Sequence, residues 1–306
     1  MTAQHIYLYS ASSAVRDRAA VRRAVRRLQA LGHSVELDPS AFATRMRFAG
    51  DDETRLAAIH RAAASGADIA LITRGGYGLS RLLADIRYPL IAKAIDRGTV
   101  FLGYSDFTAL QCAVLAKTGR VTWSGPAAAD DFGGEGEPDD IMQACFDDLV
   151  SGQGEGTGWR LPAREAREKA WSAAGTLWGG NLAMVTSLAG TPWMPQVKGG
   201  ILFLEDVAEH PYRIERMLTQ LLHGGILARQ KAIVLGQFTH WRPVPNDNGY
   251  KLQTVVDWLR AQLPRVPVFT GLPFGHVPTK VCLPVGSKVT LAVEGRDAFL
   301  LWGHAH

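Results

Sequence analysis

Short apolar runs alternate with stretches of helical spacing through the first half of the chain, and that alternation restricts the fold more than any other feature. Each run is too short for a helix and too apolar for a surface strand. It reads as a buried strand of a parallel sheet, and each helical stretch as the crossover between two such strands. Strands are expected at residues 5–10, 34–37, 69–73 and 100–103, and helices at 14–31, 52–65 and from near Phe107 onward. Ser80 is placed to cap a further helix running to about Asp96.

Between residues 130 and 167 the character changes, with Gly, acidic and small residues gathered around one helical stretch at 141–150. The expected class is therefore α/β. An N-terminal parallel-sheet α/β domain covers 1–150, a loop-rich linker 151–170, and a C-terminal β-rich α+β domain 171–306. Within the last, the pattern predicts helices at 181–189, 212–222 and 252–263, strands at 200–204 and 231–236, and two strands near the C-terminus. With 47% hydrophobic residues in a 306-residue chain, there is enough apolar material for a substantial core.

Several classes of partner are disfavoured. No apolar run approaches the ~18 residues of a membrane span. The first residues lack the basic and apolar regions of a secretory signal, so a cytoplasmic protein is expected. Cys112, Cys145 and Cys282 form no CxxC pair, which argues against a zinc knuckle or a disulfide framework. The net charge is +4, and its densest cluster is Arg22, Arg23, Arg26 and Arg27 on an amphipathic helical stretch with no aromatic interleaving. A solvated helix face is the expectation, and no nucleic-acid partner.

Four segments could carry chemistry. Gly103-Tyr104-Ser105-Asp106 sits at a strand-to-helix turn, where a hydroxyl can stand clear and helix N–H groups can face a developing oxyanion. The alternative is Ser105 as a helix N-cap, and the G-x-S-x-G elbow pattern fails at Phe107. Gly75, Gly76 and Gly78 form a turn that has Arg81 where a dinucleotide fingerprint needs its third glycine, and that lacks the Lys of a phosphate loop. It either serves positive φ alone or lets backbone approach a substrate. At Leu204-Glu205-Asp206 an apolar strand ends in charge. With no His-Glu-x-x-His nearby, no metal is expected at Glu205, Glu209 and His210, whereas a carboxylate at a strand end can orient a histidine. His276 sits in a Gly/Pro loop, while His60 and His223 lie in helical patterns and His5, His304 and His306 near the ends. Such a loop histidine can be merely exposed, or aimed at a nucleophile. Ser105, Glu205 and His276 follow the order nucleophile, acid, base that triad enzymes on α/β folds use.

Taken together, five segments resemble the motifs of the LD-carboxypeptidases in order and spacing, over nearly the whole chain. They are Arg74-Gly75-Gly76-Tyr77-Gly78, Gly103-Tyr104-Ser105-Asp106-Phe107-Thr108, Trp178-Gly179-Gly180-Asn181-Leu182, Leu204-Glu205-Asp206 through Arg216, and Gly275-His276. The resemblance implies a cytoplasmic serine peptidase of murein recycling, working as a homodimer and needing no metal or organic cofactor. Its substrate would be murein tetrapeptide or its muropeptide forms, from which it removes the terminal D-Ala after diaminopimelate or Lys. The family's triad falls on Ser105, Glu205 and His276, and its oxyanion donors on the backbone N–H groups of Gly76, or its neighbour, and of Asp106.

Arg74, Tyr77, Asn181 and Trp178 are candidate substrate contacts, with Arg213 and backbone N–H groups of the glycine turn as further candidates for the substrate carboxylate. Asn181 suits a helix cap equally well, and Tyr77 and Trp178 suit packing. Two rivals stand beside this reading. One is a serine peptidase of the same fold that cleaves peptide-nucleotide antibiotics, with Trp178 or Trp241 as a shelf for the base. The other is a non-catalytic binding module built on the glycine turn.

Overall fold

In a computed structural model describing residues 3–303, the first half is built from β1 (His5–Tyr9), α1 (Arg18–Ala30), β2 (Ser34–Leu37), α2 (Asp52–Ala64), β3 (Ile69–Ile72), α3 (Tyr88–Asp96), β4 (Val100–Gly103), α4 (Thr108–Thr118) and β5 (Thr122–Ser124). There follow α5 (Asp140–Ser151), β6 (Gly156–Arg160), β7 (Arg167–Asn181), α6 (Leu182–Ser187), β8 (Ile201–Val207), α7 (Pro211–His223) and β9 (Ala232–Thr239). The last elements are α8 (Leu252–Gln262), β10 (Val268–Thr270), β11 (Leu283–Val285), β12 (Lys288–Gly295) and β13 (Asp297–Leu301). His304 and His306 lie outside the described residues. Among those residues no helix is long and apolar enough to cross a membrane.

The first sheet has the order β11-β5-β4-β3-β1-β2 and is parallel except for β11. Its inner strands β1, β3 and β4 are apolar on both faces because both are covered. Ile6, Leu8, Ile69, Leu71 and Leu102 pack with Leu28 of α1 and Phe146 of α5. Tyr7, Tyr9, Ala70, Ile72 and Phe101 face the other way, into a cluster with Ile59 of α2, Ala94 of α3 and Leu110 of α4. That cluster runs on into the second sheet through Leu202 and Leu204, so the two sheets share one core, with α4 packed against α6 and β7 at the join. The second sheet, β10-β9-β8-β7-β12-β13-β6, is parallel from β10 to β7 and antiparallel from β7 to β6. The result is an N-terminal parallel α/β unit followed by a strand-rich α+β unit.

Several local expectations are corrected. No helix runs from Ser80 to Asp96: Leu79–Arg81 is a single 3-10 turn, and α3 begins at Tyr88 with Pro89 in its first turn. Proline has no N–H and clashes with a preceding carbonyl, so it can open a helix but not sit inside one. Residues 156–160, read as part of a linker from their Gly content, form the edge strand β6 paired to β13. Four strands, not two, follow α8 among the described residues, and β11 returns to the first sheet.

The basic cluster on α1 is only half solvated. Arg22 and Arg26 are exposed. Arg23 Nε donates to Gly133 O at 2.7 Å, and Arg27 donates to the carbonyls of Phe132, Gly134 and Gly136 at 2.8, 2.9 and 2.7 Å. Two guanidinium groups thus serve as the backbone partners of a Gly-rich loop that has no ladder of its own. Arg27→Ala is expected to lower the unfolding free energy by about 2 kcal/mol, the scale of hydrogen bonds to a charged donor. It should also speed proteolysis within residues 133–137, and an unchanged urea midpoint would contradict the role.

Candidate active site

β4 ends in the turn Tyr104-Ser105-Asp106, β8 carries Glu205, and His276 reaches between them from the loop joining β10 to β11. His276 Nε2 lies 3.0 Å from Ser105 Oγ, and His276 Nδ1 lies 2.8 Å from Glu205 Oε2. With Nδ1–H donating to Glu205, the lone pair of Nε2 faces the serine, whose O–H donates to it. An imidazole held in this way can take the hydroxyl proton as the oxygen attacks.

Ser105 is not a helix cap, since Tyr104 holds the cap position of its turn. The Ser105 side chain makes no capping bond, and its backbone is in the left-handed region at φ 65°. Few non-glycine residues adopt that region, and those that do cluster at functional sites. The turn also needs space around it: a Cβ on Gly103 would stand 2.6 Å from Ile72 Cδ1, and one on Gly75 would stand 2.6 Å from Ser105 Cβ. The glycine turn at 74–78 is therefore pressed directly against the serine turn.

Glu205 is fully buried, so both of its oxygens need partners. Oε2 has His276, and Oε1 accepts from Asn181 Nδ2 at 3.2 Å. The same amide reaches Asp206 Oδ1 at 2.9 Å. Consecutive strand residues ordinarily face opposite sides, but the β8–β9 pairing shifts register between Leu204 and Asp206, which lets both carboxylates meet one amide. β8 also runs on to Val207, so Glu205 lies within the strand and not at its end.

Asn181 Oδ1 caps α6 by accepting from Met184 N at 3.2 Å, and the Asn181 N–H donates to Thr108 Oγ1 at 3.0 Å. Asn181 thus orients Glu205 and caps a helix, the second of the two roles open to it from the sequence. Sequence reading passed over Asp206 and Thr108. The available signal was a second acid beside Glu205 in an otherwise apolar strand.

The remaining candidates divide. Gly76 is exposed on the turn, and the N–H of its neighbour Tyr77 is taken by Ser13 Oγ at 3.1 Å. Asp106 Oδ2 accepts from Leu79 N at 2.9 Å, so the residue after the serine clamps the far end of the glycine turn. Burial pushes the Asp106 carboxyl above its usual range. Tyr77 is half-exposed, with Arg47 5.6 Å from its ring centroid. Arg74 is partly buried on the same turn and donates to Ala14 O at 3.2 Å. Arg213 is paired with Glu209 at 2.8 Å on α7.

Trp178 is corrected from substrate contact to core. It is fully buried in the interior strand β7, and its indole N–H donates to Gln230 Oε1 at 3.0 Å. Among the described residues, no three His, Cys, Asp or Glu side chains are grouped to hold a metal ion.

Asp206 makes stability depend on pH. Burial, and then the charge of Glu205, raise its carboxyl from 3.8 to about 6. The native state keeps this proton up to about pH 6, whereas the unfolded chain loses it near pH 3.8. Ionisation of Asp206 therefore removes stability as pH rises between these values, and the cost is fully present above them. Urea unfolding of wild type and Asp206→Asn should show the difference between them changing by roughly 2 kcal/mol from pH 4 to pH 7. A constant difference would show that Asp206 titrates normally.

With this geometry in hand, the chain can be set beside known proteins. The LD-carboxypeptidase N-terminal domain model matches residues 6–125, and the LD-carboxypeptidase C-terminal domain model matches residues 174–291. The probable murein peptide carboxypeptidase of Bacillus subtilis (strain 168) is 31% identical over 274 residues, covering 89% of this chain and 84% of the relative. The microcin C7 self-immunity protein MccF of Escherichia coli is 27% identical over 250 residues, covering 74% and 71%.

Among solved structures, muramoyltetrapeptide carboxypeptidase from Oxalobacter formigenes matches with TM-score 0.87 at 39% identity over 98% of each chain. MccF in complex with glutamyl sulfamoyl guanosine shares the fold, with TM-score 0.86 at 22% identity over 100% of this chain and 98% of its own. Both domain models match in order, and the relatives align over most of the sequence, so this chain is a peptidase that belongs to the LD-carboxypeptidase family.

Proposed function

We propose that the chain is a serine-type LD-carboxypeptidase that removes the terminal D-Ala from murein tetrapeptide, after diaminopimelate or Lys, in peptidoglycan recycling. The observation that carries this reading is the unbroken hydrogen-bond chain from Ser105 Oγ through His276 to the buried carboxylate of Glu205. His276 Nε2 takes the Ser105 proton as Oγ attacks the carbonyl carbon before D-Ala. The oxyanion that forms is met by the N–H groups of Gly76 and Asp106, donors worth ~2.7 to 4 kcal/mol each in comparable sites. Nε2 then passes the proton to the amine as the C–N bond breaks and D-Ala leaves. Water, deprotonated by the same imidazole, hydrolyses the acyl ester and restores the serine. Glu205 holds the tautomer throughout and stabilises the charged ring.

A carboxypeptidase must also recognise a free carboxylate. Arg74 is the better candidate, because it lies on the turn that abuts Ser105, while Arg213 is engaged with Glu209. Action in the cytoplasm and a homodimeric state belong to the same proposal and rest on the family resemblance.

The antibiotic-cleaving alternative is supported by the likeness to MccF, but that likeness is lower than to the murein enzymes; of the two tryptophans that could form a shelf for a base, Trp178 is buried in the core and Trp241 is partly exposed beside His210.

Ser105→Ala should lower kcat/KM for D-Ala release from L-Ala-D-Glu-diaminopimelate-D-Ala by about three orders of magnitude or more. Its unfolding free energy should stay within about 1 kcal/mol of wild type. A fully active variant would reject the nucleophile, and a wild type that cleaves a peptidyl-adenylate analogue but not the tetrapeptide would favour the alternative. Arg74→Met should reduce kcat/KM by about tenfold or more, on the scale of one charge-assisted hydrogen bond. It should also erase the preference for the free acid over the C-terminal amide; a preserved preference would move the carboxylate contact elsewhere.

A further inference from the structure

We propose that Tyr104, Lys280 and Asp131 form a positioning platform for the His276 imidazole, a role that rests on His276 acting as the general base. Lys280 is 1% exposed, and its ammonium is paired with the carboxylate of Asp131. Its Nζ lies 4.1 Å from the centroid of the Tyr104 ring. The same ring lies 5.0 Å from the His276 ring at an interplanar angle of 56°. Tyr104 therefore meets both a buried cation and the imidazole.

The three residues come from separate parts of the chain. Tyr104 immediately precedes Ser105, Lys280 follows His276 by four residues, and Asp131 lies in the π-helical turn Ala128–Phe132. Such turns are rare and gather at functional sites. Asp131 Oδ2 accepts from Ala127 N at 2.7 Å, which fixes the carboxylate that holds the lysine.

Stability does not account for this arrangement. A buried ion pair is generally matched or surpassed by apolar residues of similar volume, so its charges need another explanation. The ammonium attracts the face of Tyr104 and sets the plane of that ring. Glu205 restrains the imidazole at Nδ1, and Thr239 Oγ1 contacts His276 O at 3.4 Å, but neither supports the ring from the side. Tyr104 does. Asp131 in turn neutralises Lys280, so the imidazolium that forms during attack meets no bare cation one ring away.

The charged groups around Tyr104 and His276 are Glu205 and its neighbour Asp206 on β8, Arg74 on the glycine turn, Asp130 and Asp131 on the π-helical turn, Glu137 and Asp139 ahead of α5, and Lys280 on the histidine's own loop. The Lys280–Asp131 pair can be unbalanced in either direction without touching the reacting groups.

The test compares Asp131→Asn, Lys280→Met, the double variant, Tyr104→Phe and Tyr104→Leu in the full chain. Titration of the His276 ring by NMR is followed together with kcat and KM for D-Ala release across pH. Asp131→Asn should move the His276 midpoint and the acid limb of kcat/KM to lower pH by about 0.5 unit or more, and Lys280→Met should move them to higher pH. The double variant should return the midpoint towards wild type yet lower kcat about tenfold with KM nearly unchanged, because the side support is lost. Tyr104→Leu should show the same loss of kcat, and Tyr104→Phe should restore it.

A purely structural pair would lower stability without opposite shifts in titration. Folded single variants with unmoved midpoints, or full kcat in Tyr104→Leu, would overturn the platform. If a single charge variant fails to fold, the Tyr104 pair decides. A wild type that releases no D-Ala defeats the functional reading instead, and the titrations still report on the platform.

Discussion

A fully buried carboxylate governs the arrangement of this site. Glu205 sits where an unpartnered charge would cost several kcal/mol, so its surroundings have to supply donors. They come from two directions, the His276 ring and the Asn181 amide. Asn181 is in turn tied to Thr108, three residues after Ser105. The need to satisfy one acid therefore links β8, β7, α4 and the histidine loop, and with them the two halves of the molecule. The register shift in β8 belongs to the same requirement, because it lets Glu205 and Asp206 share one amide.

Close backbone approach is the second constraint. The serine turn and the glycine turn touch where a side chain on Gly75 would collide with Ser105. Asp106 then binds Leu79 N–H, so the turn carrying the proposed nucleophile and the turn carrying the proposed oxyanion donor are clamped by one residue. The left-handed backbone of Ser105 is held against its preference by this packing. A Gly at residue 107, as the elbow pattern would have it, is not required, since Phe107 packs into the core while Gly103 supplies the space.

Much of the first sheet was legible because a parallel strand buried on both faces leaves a continuous apolar run, as Ile69–Ile72 and Val100–Gly103 do. The failures have physical causes of the opposite kind. β6 is an edge strand, exposed and glycine-rich, so its composition reads as loop until β13 supplies its partner. Trp178, in a motif full of glycines, looked available to a ligand, yet its indole is consumed by Gln230, 52 residues away. Arg27 looked solvated because the carbonyls it serves lie more than a hundred residues further on.

The sequence by itself determined the class of fold, the family, and the three residue types in the order that pointed to Ser105, Glu205 and His276, because those are written in local pattern and motif spacing. Tertiary structure alone decided that the hydroxyl faces the imidazole, that Asn181 serves Glu205, and that Lys280 lies beneath Tyr104. Each of these is a contact between residues distant in the chain, and its geometry is set by strand register, burial and the need to pair buried charge. No local pattern encodes those quantities.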